Sequence, residues 1–335
     1  MKPGPSNSIT DIAGLSVGNA QDANLKSGVT VLLCESQMVA SVAVHGGAPG
    51  TRDTELLSPE NSVEGVDALV LSGGSAFGLD AASGVQAWLR EIGRGFPVGA
   101  VNVPIVPGAI LFDLINGGDK NWGRFPPYRD LGWEAASNCA VNFDLGSYGA
   151  GSGALVAGLK GGLGTASLKL DIGITIGALF AVNALGSCTI GDTKHFHAAL
   201  FEKEAEFGGH GIPSVQQPDS DRVMLKFRDI DSSIANTTIG IVATDAVLTK
   251  AEAKRLAIAA HDGIARAIWP AHTPLDGDLV FTVASGSSDI KPQSNDWIDL
   301  SAHAASVTAR AIARGVYEAE AEKADLFPVY SQRFQ

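Results

Sequence analysis

The chain has 335 residues, 45% hydrophobic and 18% charged, a globular composition with enough apolar material for one large domain or two ordinary ones. Its formal net charge of -12 argues against nucleic acid and anionic membranes as partners, because both require clustered Lys and Arg. Three widely spaced cysteines, Cys34, Cys139 and Cys188, offer neither a disulfide framework nor a paired zinc site, and MKPGPSNSIT lacks a secretory apolar segment, so a cytoplasmic setting is expected.

Residues 68–93, ALVLSGGSAFGLDAASGVQAWLREIG, predict a strand, a glycine turn and a helix. The turn lacks the Lys-Ser/Thr of a phosphate loop and reads as close packing beneath a pocket, which makes Gly74 and Ser75 pocket candidates. Gly149 to Ala154 partly fits a dinucleotide fingerprint, but NFDLGSY before it is a poor buried strand, so no nucleotide cofactor is implied. Residues 172–190 carry no charge and approach a membrane span in length. Alternating Gly and Ile at 172–176 and the interruption at Asn183 favour a buried strand ending in a polar group. His195 and His197 could share a strand face and meet a metal with Asp192, although two polar residues leaving the core is the plainer reading and no metal is expected.

Residues 202–222 are charged, contain Gly and Pro, and predict a surface loop or mobile linker. A polar approach over 228–236 then meets an apolar strand at 239–243. Thr249 to Glu252 is a capping box opening a helix whose Ala253, Leu256, Ala257, Ala260, Ile264 and Ile268 share a face, with Pro270 as its stop. Asp276-Gly277-Asp278, a strand at 279–285 and a helix-like segment at 297–322 complete the chain.

Thr237 stands where an accessible segment becomes a buried strand. Were the backbone to break before it, Thr237 would present a hydroxyl and a free α-amine of pKa roughly 7.7–8.0, so one residue would be both nucleophile and base. Taken alone, Asn236-Thr237-Thr238 reads more simply as an ordinary strand start, since Asn favours turns and Thr favours sheets.

Five ordered segments, LSGGSAFGLDAASGV, GAGSGALVAGLKGG, ALFAVNALG, NTTIGIVATDA and PLDGDLVFTV, resemble the DmpA family of L-aminopeptidase/D-esterases, β-aminopeptidases and endo-type nylon-oligomer hydrolases. The resemblance implies an α/β fold, a four-layer αββα sandwich like that of N-terminal nucleophile hydrolases. It also implies one domain cut between Asn236 and Thr237 into chains 1–236 and 237–335. Thr237 then matches the nucleophile and Asn183 the asparagine that steadies the oxyanion. Lys160 matches a lysine near the nucleophile, and Asp276 with Asp278 the acidic pair of the nylon hydrolases. Phe112 stands where several members carry a tyrosine, and it cannot donate a hydrogen bond. The resemblance implies no cofactor, a small peptide or amide substrate, and a homo-oligomer, a tetramer. An acyltransferase of the ornithine acetyltransferase type and a catalytically silent relative are the alternatives, while a Ser-His-Asp esterase lacks its GxSxG frame.

Overall fold

The computed structural model describes residues 1–217, 220–227 and 236–334. Of the polar approach expected over 228–236, residues 228–235 therefore lie outside the described residues, as do two positions of the preceding loop.

Strands β1 (Leu15–Asp22), β2 (Ser27–Val44), β3 (Gly65–Ser72), β4 (Gly162–Lys169), β5 (Thr175–Asn183), β6 (Thr237–Thr244) and β7 (Leu279–Ala284) carry the architecture. Helices α1 (Ala81–Glu91), α2 (Tyr128–Ser137), α3 (Lys250–Ala267) and α4 (Ser294–Tyr317) cover them. Hydrogen bonding runs β4-β5-β6-β7-β2-β3, with β1 paired to β2. The 18-residue β2 belongs to two layers: Val29–Leu33 pairs with β3 and Ser27–Cys34 with β1, while Val39–Val44 pairs with β7. A register shift between Leu33 and Met38 marks the crossing, where an irregular ladder lets a strand bend.

Three separate cores identify the four layers. Leu32, Leu69 and Leu71 meet Leu179, Ile239, Ile241 and Phe281 between the two sheets. Phe180, Val242 and Val280 on the outer face of β4 to β7 pack on α3 and α4 through Leu256, Ile264, Val307 and Ile312. Val29, Val31, Ala68 and Val70 pack on α1 and α2 through Val85, Leu89, Leu131 and Ala135. The order is therefore helix, sheet, sheet, helix, the αββα sandwich expected from the sequence.

Residues of β5, β6 and β7 are buried throughout because both faces are covered, which explains their unbroken apolar runs. No helix among the described residues is long and apolar enough to cross a membrane. The capping box forms as predicted, with Thr249 accepting from the Glu252 N–H. The last helix differs: Gln293 and Asp296 cap it earlier, so it starts at Ser294, and it ends at Tyr317. The residues expected to extend it to 322 instead form a loop that captures Lys160.

Candidate active site

Strand pairing brings the predicted residues together at one end of the central sheet. In the antiparallel ladder β5–β6, Asn183 is the partner of Thr237. In the parallel ladder β6–β7, Ile239 is level with Leu279, so Asp276 and Asp278 lie beside the start of β6, and Asn236 bridges Asp276. The Thr238 N–H donates to Asp278 Oδ1 at 2.8 Å, pinning the first turn of the ladder.

The Thr237 hydroxyl donates to the carbonyl oxygen of Asn236 at 2.5 Å, and the same oxygen accepts the Gly277 N–H at 2.7 Å. A backbone donor is thus already aimed at the oxygen on which charge would develop if that carbonyl were attacked. Thr237 is only 2% exposed, so little water competes for these bonds. Gly277 is required by space: a Cβ there would lie 2.7 Å from Thr237 Oγ1 and 2.8 Å from the Ala48 carbonyl oxygen.

The two aspartates are held differently. Asp278 Oδ2 accepts from the His272 N–H at 3.0 Å and from His272 Nδ1 at 2.9 Å, leaving Oδ1 for Thr238. Asp276 Oδ2 accepts from the Thr273 N–H at 2.9 Å and hydroxyl at 2.6 Å, and Oδ1 from the Leu185 N–H at 3.4 Å. Burial, then the charge of Asp278, raise the Asp276 carboxyl above its ordinary range.

Asn183 is oriented by its neighbours. Its Oδ1 accepts from the Leu155 N–H at 3.0 Å and from Lys226 Nζ at 2.9 Å, while Nδ2 donates to the Phe112 carbonyl at 2.8 Å. Two donors on one atom identify it as the oxygen, so the amide cannot flip without facing N–H against N–H. The amide nitrogen carries a second proton that the Phe112 bond does not use. Phe112 thus meets Asn183 through its backbone, and it lines a small pocket with Asp113, Asn116, Leu155, Asn183 and Lys226.

Lys160 has its ammonium engaged away from Asn183. It lies on the Leu159–Lys160 strand of a tight hairpin, directly across from Leu155. Its ammonium is held by the Glu320 carbonyl at 3.0 Å, Glu322 at 2.7 Å and Asp325 at 3.3 Å, so it braces the C-terminal loop. The cation on Asn183 is Lys226, fully buried and also donating to the carbonyls of Leu155 at 2.8 Å and Asn183 at 3.1 Å. Burial pushes its pKa down to about 7. Sequence reasoning missed it because Lys226 falls in the short stretch between the loop read at 202–222 and the polar approach read at 228–236; the flanking Leu225 and Phe227 were the available hint of an inward-facing residue.

Gly74 and Ser75 were expected as close packing beneath a pocket. Neither lines that pocket; Gly74 lies behind it, its N–H donating to Asp113 Oδ1 at 2.7 Å, with φ +84 and no room for a Cβ against Tyr128. Ser75 donates its N–H to the Leu111 carbonyl at 2.9 Å. Asp113 also accepts from the Ser27 hydroxyl at 2.6 Å, and its burial raises its pKa despite these bonds. Asp192 is paired with Arg333 at 2.8 Å and His195 Nδ1 with the Gly211 carbonyl at 2.9 Å, so the idea of a metal centre there is not supported.

A threonine, an asparagine and two aspartates thus converge at the ends of the buried strands of a four-layer sandwich. The profile of peptidase family S58 matches residues 7–325, and the chain belongs to that family. An aminopeptidase of Mycobacterium tuberculosis, described as uncharacterized, is 43% identical over 332 residues, covering 94% of each chain. A 6-aminohexanoate-oligomer endohydrolase of Kocuria sp. is 25% identical over 84% of this chain and 75% of its own. The L-aminopeptidase D-Ala-esterase/amidase of Ochrobactrum anthropi, described as a variant of the Ntn hydrolase fold, superposes with a TM-score of 0.70. That alignment covers 97% of this chain and 90% of the other at 21% identity, which establishes the shared fold. The protein is a hydrolase of peptide or other amide bonds.

Proposed function

We propose that the chain cuts itself between Asn236 and Thr237 and then hydrolyses amides with Thr237 as an N-terminal nucleophile. The observation that carries this reading is the Thr237 hydroxyl 2.5 Å from the oxygen of the carbonyl it would attack, an oxygen that also accepts the Gly277 N–H. Attack of Oγ1 on the Asn236 carbonyl carbon forms an ester and releases the Thr237 nitrogen as an amine, the hydroxyl proton ending on that nitrogen. Water then hydrolyses the ester to the Asn236 carboxylate and the free hydroxyl. In turnover the new α-amine takes the proton from Oγ1 as it attacks substrate. Asn183, held in one orientation, supplies its spare N–H to the oxyanion.

Intact mass and N-terminal sequencing test this: a shorter species beginning Thr-Thr-Ile-Gly is expected, and only full-length chain after long incubation would overturn the reading. Gly277→Ala should slow cleavage by about 100-fold or more, since displacing a reacting group by about 1 Å costs that much. An unchanged cleavage rate in a folded variant would remove Gly277 from the mechanism.

The substrates favoured by the relatives are N-terminal residues of short peptides, amino acid amides and linear amide oligomers, separable with a panel of p-nitroanilides and oligomers. The homo-oligomer is likewise a proposal, supported by the exposed hairpin Phe96–Val98 and Val101–Val103, which turns Phe96, Val98, Val101 and Val103 to solvent. Sedimentation should give a species larger than one chain that shrinks in Val101→Asp; a monomer would dismiss it.

A further inference from the structure

Behind Asp278 three histidines from separate parts of the fold converge: His45 just after β2, His261 on α3 and His272 on the loop leading to β7. One ring nitrogen of each lies within 4.8 Å of the others. Two of the rings have their distal nitrogens already committed. His272 Nδ1 donates to the Asp278 carboxylate at 2.9 Å, and His261 Nε2 donates to the Ala43 carbonyl at 3.0 Å. A backbone carbonyl can only accept, and the Asp278 oxygens already accept the backbone N–H groups of His272 and Thr238, so both protons are assigned to the rings. The remaining nitrogens, His272 Nε2 and His261 Nδ1, therefore turn lone pairs toward each other at 3.3 Å. Such a pair needs a positive species between them, either a proton or a metal ion.

We propose that His45, His261 and His272 form a binding site for a divalent ion of the zinc class. A tetrahedral zinc with bonds of about 2.0–2.1 Å spaces its nitrogen ligands by about 3.3 Å, the separation found for this pair. Asp278 on the far nitrogen of His272 and the Ala43 carbonyl on that of His261 are the outer partners that fix a ligating imidazole's tautomer and strengthen it as a donor. His45 completes the triad by rotating. Its ring is stacked on His261 at 3.8 Å and 18°, so in this rotamer the two in-plane lone pairs do not converge. His45 is exposed, and its ring nitrogens carry no hydrogen bond among the described residues, so turning the ring breaks none. A water would take the fourth position.

Charge and protonation suit the site. Burial pushes His261 down to about 3, so it is neutral and ready to ligate at neutral pH. Burial opposes the His272 imidazolium, but the hydrogen bond and charge of Asp278 outweigh it and raise its pKa. His45 is lowered by burial and by His272. Asp262, Asp276 and Asp278 are the anions acting on the cluster, and all three favour a cation.

The test uses tag-free full-length protein, stripped with a chelator and titrated with Co²⁺. One equivalent per chain with the visible bands of a four-coordinate imidazole site is expected, abolished in His45→Ala and in His261→Gln and displaced by Zn²⁺. His45→Ala removes an exposed ring, so its folding is not at stake, and thermal melting reports on His261→Gln. Absence of stoichiometric binding, or binding that survives both variants, would overturn the proposal and leave a shared proton as the species between the rings. The readout does not involve self-cleavage, so failure of either reading leaves the other standing.

Discussion

Thr237→Ala is expected to give a single uncut chain with amide hydrolysis reduced by at least about four orders of magnitude, the scale on which loss of a nucleophile is felt. Alanine removes the oxygen that contacts the Asn236 carbonyl but keeps the strand start, because the Thr238 N–H still meets Asp278 and the Gly277 N–H still meets Asn236. The variant should therefore melt like the uncut wild type. Thr237→Ser restores the hydroxyl and should recover cleavage, since loss of a methyl leaves the reacting atom in place. A Thr237→Ala protein that still produces a chain beginning at residue 237, or that still turns over amides, would assign the chemistry to another group.

The second large effect is expected at Lys226. Replacing it with Met keeps the stem and removes one of the two donors that identify Asn183 Oδ1. Its three acceptors, Asn183 Oδ1 and the carbonyls of Leu155 and Asn183, are left buried with one partner fewer. Cleavage and turnover should fall by about 10²–10³-fold, as when an oxyanion donor is lost, with kcat affected more than KM. An unaltered cleavage rate in Lys226→Met, measured by the same mass analysis, would reduce Lys226 to a packing residue.

Lys226 also carries a stability signature. Its folded pKa of about 7 lies below the 10.5 of an exposed lysine, so between these values the unfolded chain binds more protons than the folded one. Stability of the uncut chain should therefore rise as pH climbs from about 7 toward 10.5, relative to Lys226→Met, in which that contribution is absent. Denaturant melts of Thr237→Ala with and without Lys226→Met isolate it; parallel pH curves would contradict the buried, depressed ammonium.

Much of this arrangement was legible along the chain. The apolar runs that became β5, β6 and β7 are unbroken because strands covered on both faces have no polar side to display. The Thr249–Glu252 capping box is local chemistry, fixed by residues three apart, and needs no tertiary information. Asp276, Gly277 and Asp278 could likewise be read as one unit, since adjacent residues at a strand entry must share a neighbourhood.

What the sequence by itself determined, then, were the main elements, their burial and the family, and Thr237, Asn183 and the aspartates singled out along the chain do lie together in the fold. Which lysine contacts Asn183 was decided by tertiary structure. Lys160 and Lys226 are both buried lysines beside short apolar runs, but the hairpin that holds Lys160 sends its ammonium to Glu322, while the segment around Lys226 sends its own onto Asn183. The direction of a side chain in a short irregular segment depends on packing against distant elements, and no local period encodes it. The same holds for His45, His261 and His272, which come from a strand exit, a helix and a loop and meet only because β2 crosses between the sheets and α3 lies over them.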